Sequence, residues 1–208
     1  YWKVVATDPS GSNTSSIMNF TYMGSGWSYD ISNDIYSASI SADGEYIVAG
    51  ASDGYLYIFD KDSSTPIWTY NSGAGIHAIA ISSDGKYITA GNTDDKVYLF
   101  SKENNTPLWT SSVSGDVLTL AISEDGKYIV SGDGQDMVYL FNKNSSIALW
   151  SYDTEGDVET IDISADGEYI IAGNLGSKAL LFDKDSSTPI WTYTANDDIL
   201  SVSISADG

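Results

Sequence analysis

The sequence predicts an all-β fold, a β-propeller, and three observations predict it. Trp27, Trp68, Trp109, Trp150 and Trp191 return every 41 residues without a slip. Phe59, Phe100, Phe141 and Phe182 keep the same interval, as does the turn Ile40-Ser41-Ala42-Asp43-Gly44, which recurs from Ile81, Ile122, Ile163 and Ile204. No segment shows helical periodicity, and turn residues arrive every 8 to 12 positions. A period of this length built from strand formers marks propeller blades, not helical solenoids.

The elements of one unit follow in order from its residues. Pro66 to Tyr70 reads as a strand, and Asn71-Ser72-Gly73-Ala74-Gly75 as a turn cluster. Ile76 to Ile81 is nearly all apolar, as a strand covered on both faces should be. Asp84-Gly85 is a hairpin signal, because Gly tolerates positive φ and Asp bonds its own backbone. Lys86 to Gly91 and Lys96 to Phe100 complete four strands, and a loop from Ser101 to Thr106 leads to the next Trp. The innermost strand of a blade lies between two neighbouring blades, which explains its lack of alternation. Gly50, Gly91, Gly132 and Gly173 mark a close backbone approach in the second strand. Burying an indole removes roughly 150–250 Å² from water, or about 4–6 kcal/mol as an upper bound. Trp and Phe, one of each per unit, are therefore read as the wedges between blades.

The array opens on the last strand of a blade at Trp27, runs through four complete four-stranded blades and continues into one more inner strand, Ile199 to Ser205. Both ends look truncated. The expected division is residues 1–22, a separate hairpin; 23–26, a linker; and 27–208, the propeller.

Composition narrows the function. There are 29 acidic residues against 9 lysines, no arginine, and a formal charge of −20. Nucleic acid and anionic membranes require basic side chains, so neither is an expected partner. No stretch of about 18 apolar residues is present, so no membrane insertion is expected. With no cysteine, disulfides and thiolate chemistry are excluded. Asn13, Asn19, Asn104 and Asn144 begin glycosylation sequons, a hint of an exterior location.

Three resemblances add to this reading. Tyr1-Trp2-Lys3-Val4-Val5-Ala6-Thr7-Asp8, the turn at Pro9 to Ser12, and Ile17 to Tyr22 together resemble the closing strands of a fibronectin type III or related immunoglobulin-like domain. The unit from Val117 to Gly132 resembles WD-repeat-like and YVTN-type propellers of prokaryotic surface proteins, although no Gly-His opens a unit and no Trp-Asp ends a strand. Asp60 and Asp183, each eight residues before a Trp, resemble the strand-ending motif of quinoprotein (PQQ-dependent) dehydrogenase propellers. In that motif Ser63-Ser64 and Ser186-Ser187 replace the expected Thr-Gly, and Asn142 replaces the Asp. Quinone sites in that family also use a cationic side chain, commonly Arg. The resemblance therefore implies the fold and not the cofactor, and no cofactor is expected.

Residues that differ between otherwise interchangeable units are where function can reside. The loops before the inner strand and between strands two and three share one face of a blade. There they carry Asp94, Asp95, Asp116, Glu155, Asp157, Asp197 and Asp198, a candidate binding face for cations or a basic partner. Asp60, Asp62, Asp183 and Asp185 alternate as calcium ligands do, but two carboxylates per loop fall short of six to eight oxygens, so no metal is expected. His77 is the one histidine, and no partners stand at triad or zinc spacing; no catalytic residue is expected. The expectation is a non-catalytic, acidic, extracellular or cell-surface propeller of prokaryotic, archaeal type. It would serve as a binding platform for a protein or glycan, or as an envelope module. The competing reading is an enzyme frame, such as a PQQ-like dehydrogenase or a hydrolase, with its active residues elsewhere.

Overall fold

The computed structural model describes residues 26–208, together with the backbone of strands at 4–7 and 16–20. Four antiparallel four-stranded sheets follow one another along the chain. The first is formed by β4 (Ile35–Ile40), β5 (Tyr46–Ala51), β6 (Tyr55–Asp60) and β7 (Trp68–Asn71). The second contains β8 (Ile76–Ile81), β9 (Tyr87–Asn92), β10 (Lys96–Ser101) and β11 (Pro107–Ser112). The third contains β12 (Val117–Ile122), β13 (Tyr128–Asp133), β14 (Met137–Asn142) and β15 (Trp150–Asp153). The fourth contains β16 (Val158–Ile163), β17 (Tyr169–Asn174), β18 (Lys178–Asp183) and β19 (Trp191–Thr194). Each sheet is a simple meander, and the strands β4, β8, β12 and β16 lie beside one another in succession. These are the blades and inner strands of a partial propeller, as expected. Among the described residues there is no helix, and so none long and apolar enough to cross a membrane.

The core is a series of layers between blades. Val48, Leu56 and Ile58 of the first blade face Ile76, Ile88, Ala90 and Phe100 of the second, and equivalent clusters fill the next two clefts. Each Trp leans on the Phe of the following blade, with ring centroids 5.4 Å apart for Trp27–Phe59, 5.6 Å for Trp68–Phe100, 5.5 Å for Trp109–Phe141 and 5.4 Å for Trp150–Phe182. Each indole N–H also donates across the same cleft, to the carbonyl of Lys61, Lys102, Lys143 and Lys184 in turn, at 2.7 to 2.9 Å. The indoles are half-buried, whereas the four Phe rings are at most 1% exposed. The Phe fills the cleft and the Trp seals its outer side, a division of labour that the spacing did not reveal. Trp191 is 43% exposed, with no following blade against it among the described residues.

The glycine of the second strand is explained by the neighbouring blade. A Cβ at Gly91 would lie 2.2 Å from Val117 Cγ1, and one at Gly132 would lie 2.3 Å from Val158 Cγ1. The first residues of β8, β12 and β16 therefore pack directly on the preceding blade's backbone.

The serine turn is a repeated hydrogen-bond device. Ser41 Oγ donates to Asp43 Oδ1 at 2.6 Å and accepts from the Tyr46 N–H at 3.0 Å, while Asp43 Oδ1 also accepts from the Glu45 N–H. Ser82, Ser123 and Ser164 repeat it, and all four serines are buried. Successive turns are linked by backbone bonds: the N–H of Ala42 to the carbonyl of Ser83, Ser83 to Glu124, Glu124 to Ala165, and Ala165 to Ala206. They form a hoop of peptide groups around one end of the array.

The two ends of the array pair differently from its blades. β1 (Val4–Thr7) pairs antiparallel with β2 (Ser16–Phe20), and β2 also pairs with β3 (Trp27–Ile31), Phe20 opposite Trp27. The three strands form one sheet, and β3 packs on the first blade through Ile31, Ile47 and Phe59. Residues 1–3, 8–15 and 21–22 of the expected immunoglobulin-like segment and 23–25 of the expected linker lie outside the described residues, Asn13 among them, as does the side chain of Asn19. The segment Ile199 to Ser205 follows an inner-strand path, Ile199 packing beside Gly173, but it is not a strand. Its amides bond to Asn174 O, Thr160 Oγ1 and Asp162 Oδ2, and among the described residues no second strand pairs with it.

Two stability outcomes follow. Trp109→Ala should cost about 3–5 kcal/mol in urea unfolding, and Trp191→Ala clearly less, since that ring is already 43% exposed. Ser131 is a buried hydroxyl with no hydrogen-bond partner, at the place where the other blades carry Ala49, Ala90 and Ala172. Ser131→Ala should therefore raise stability by about 1 kcal/mol, read as a higher urea midpoint.

Candidate binding face

The two ends of the array differ in how their acidic side chains are held. At one end lie the turns between strands two and three and the loops leading into the inner strands. Backbone bonds tie these loops together, the N–H of Ser52 to Asp34 O, Thr93 to Gly75 O, Gly134 to Asp116 O, and Leu175 to Asp157 O. All seven predicted acidic residues are at this end.

Three of the seven converge. Asp95, Asp116 and Asp157 line a cavity of about 430 Å³ together with Ser114, Gly115, Leu118, Gly134 and Gln135, so that three successive blades contribute to it. The other four do not. Asp94 pairs with Lys96 Nζ at 2.7 Å, Glu155 pairs with Lys178 Nζ, and Asp197 and Asp198 are exposed at the last turn.

The residues that hold this face were not evident as site residues in the sequence. Asn92, Asp133 and Asn174, all fully buried, end the second strands. Asp133 Oδ1 accepts from the N–H groups of Gln135 and Met137, and its Oδ2 from that of Gly115. Asn92 and Asn174 organise the equivalent turns through Oδ1, and Asn174 Nδ2 donates to Thr154 across the face. Burial pushes the Asp133 carboxyl up from its ordinary value, against the lowering effect of its amide donors. The signal that marks these positions is their fixed place after the second-strand glycine. Asp95, Asp136 and Glu155 sit at positive φ, 57°, 69° and 63°, so the acidic residues also make the turns.

The far end is acidic for another reason. Asp84, Glu124, Asp125, Asp166 and Asp207 rim an open cavity of about 570 Å³ beside the hoop of turns. Asp84, Asp125 and Asp166 each accept from the serine of their turn, as Asp43 does in the first blade; the Ser41 hydroxyl holds Asp43 below the usual carboxylate range, and the Glu168 N–H does the same for Asp166. Lys61, Lys86, Lys102, Lys127, Lys143 and Lys184 are also at this end, whereas Lys96 and Lys178 belong to the loop end. The loop end is thus the more negative and the more varied.

The calcium candidates lie in the lysine-rich turns. Asp60 and Asp183 accept the N–H groups of Asp62 and Asp185, which in turn pair with Lys61 and Lys184. Among the described residues no three His, Asp or Glu side chains are grouped to hold a metal ion. His77 packs edge-on against Tyr36, with ring centroids 4.4 Å apart.

Crowding on the loop face is titratable. Burial and then the charges of Asp157 and Asp153 hold the Asp136 carboxyl above its ordinary value of 3.8. The folded state therefore binds this proton more tightly than the unfolded chain, and the contribution is lost as pH rises through the raised value. Asp136→Asn should melt above the parent at neutral pH, the gap closing as pH falls toward about 4, measured by thermal scans across that range.

The repeats can be compared with known families. A profile described as WD domain, G-beta repeat, matches residues 22–60, which is one blade's worth of chain. No curated protein sequence matches the chain. The PQQ_2 profile, described as outer membrane protein assembly factor BamB, matches residues 52–205, most of the array, and by that match together with its meandering four-stranded sheets the chain belongs to the BamB-like family of propeller repeats.

Proposed function

We propose that the chain is a non-catalytic protein-interaction scaffold of a cell surface or envelope, whose loop end takes a partner through a basic patch. The observation that carries this is the convergence of Asp95, Asp116 and Asp157, from successive repeats, on one cavity. Family membership supports a scaffold, and the family's description places one of its members in assembly at an outer membrane. The chemistry of the face supports a basic protein partner over a glycan. It offers carboxylates, a Ser and a Gln around a cavity with one aliphatic residue and no aromatic ring among its lining residues. Fixed carboxylates on turns braced by buried Asn and Asp attract cations at little ordering cost, and their field extends roughly a Debye length into solvent.

The test uses fluorescein-labelled pentalysine in fluorescence anisotropy. The parent should bind, with affinity falling steeply as salt rises. Asp95→Asn with Asp116→Asn and Asp157→Asn should weaken binding roughly five- to tenfold at low salt. A charge-matched control at the lysine-rich end, Asp62→Asn with Glu103→Gln and Asp185→Asn, should leave it nearly unchanged. Equal losses in the two variants would show diffuse attraction to an acidic protein, and the proposed face would be abandoned.

A further inference from the structure

We infer that the acidic face reads its partner through a row of bulged residues on the inner strands, Tyr36, His77, Leu118 and Glu159, which take a basic segment carrying an apolar anchor. This rests on the acidic-face reading above and adds to it the chemistry of the bound segment.

In each of the four blades the pairing of the first two strands slips at the same place. Ile35 pairs with Ala51 but Ser37 with Gly50, and the same slip occurs between Ile76 and Ala78, Val117 and Thr119, and Val158 and Thr160. The skipped residue is therefore a β-bulge in every blade, left out of the ladder with its side chain re-aimed. Its neighbours are nearly constant. Ile76, Val117 and Val158 precede the bulge and are fully buried against the preceding blade's glycine. The bulged residue itself changes from aromatic to imidazole to aliphatic to carboxylate. A repeat that keeps its packing residues and varies only the unpaired one separates scaffold from recognition within a single strand.

The exposure of these side chains agrees. Tyr36 is 49% exposed although its ring meets His77 at 4.4 Å, Leu118 lines the acidic cavity, and Glu159 faces solvent. The buried apolar clusters between blades close without them, and the one ring contact the row makes across a cleft, Tyr36 on His77, lies outside those clusters. The row begins on the first inner strand and ends on the fourth, and every member stands second in its strand, one residue beyond a loop of the same end. An exposed aromatic ring such as that of Tyr36 favours a lysine or arginine lying over it. Leu118, beside Asp95, Asp116 and Asp157, offers an apolar contact within a negative field. A segment alternating basic and bulky apolar residues satisfies both, whereas a purely basic one uses the charges alone.

Two fluorescein-labelled peptides test this by anisotropy on the intact protein, Lys-Trp-Lys-Leu-Lys and Lys-Gly-Lys-Gly-Lys. The parent should bind the first about tenfold more tightly than the second, the gain an apolar anchor brings. Tyr36→Ala with His77→Ala should remove that gain and leave the glycine peptide within about twofold of the parent. Leu118→Ser, a second variant with an unchanged melting temperature as its control for folding, should act in the same direction. Equal affinity of the parent for the two peptides, or a bulge variant that retains the gain, overturns the inference. In that case the charge-neutralised variant at Asp95, Asp116 and Asp157 still decides the scaffold reading. Failure of the parent to bind either peptide defeats both.

Discussion

The structure depends on a single contact made four times: an indole that leans on the next blade's phenylalanine while its N–H is bonded to that blade's lysine carbonyl. A four-stranded meander alone has two apolar faces and no means to bury either. Stacking blades buries both, but apolar contact has no direction and would allow neighbouring sheets to slide. The indole bond, with geometry fixed to about 3 Å and to one carbonyl, sets the register of one blade on the next. The glycine that admits Val117 or Val158 to the preceding backbone fixes the same register at the inner side. Each blade is thus pinned at two radii.

That arrangement explains why the two ends of the array can differ chemically while the blades remain interchangeable. At the turn end, serine and aspartate are committed to one another and the hoop of backbone bonds ties turn to turn. A substitution there disturbs a device that every neighbour shares. At the loop end the frame is supplied from below, by Asn92, Asp133 and Asn174 holding the turns through their side chains. The residues above those supports vary without loss of packing, and the acidic side chains and bulged residues occupy those positions. A rigid scaffold presenting variable loops is the usual way in which binding is grafted on a repeat fold.

The absence of arginine and the excess of carboxylates matter differently at the two ends. Where lysines alternate with aspartates, as around Lys61 and Lys184, charge is neutralised locally and exposed pairs contribute little. Where lysines are few, Asp136 lies near Asp153 and Asp157, and its pKa is raised first by burial and then by their charges. A face that keeps such crowding forgoes some stability, which is a recurrent property of binding sites.

Much of this was legible in the chain, because the 41-residue return of Trp, Phe, Gly and Ser-x-Asp-Gly is a local pattern repeated until its period is unmistakable. The all-β class and the four strands per blade follow from it. Other facts needed coordinates. Which of seven carboxylates meet is a matter of distance between blades, so Asp95, Asp116 and Asp157 were indistinguishable from Asp94, Glu155, Asp197 and Asp198 in sequence. The bulges are invisible because a bulge is a relation between two strands, and only their pairing shows that Tyr36, His77, Leu118 and Glu159 are the residues left out. The sheet joining β2 to β3 was hidden for a like reason: resemblance compares segments one at a time, while hydrogen bonds are made between them. Sequence alone determined the repeated unit, since burial and turn chemistry act over a few residues; tertiary structure decided what the units do together, since convergence exists only once the blades are stacked.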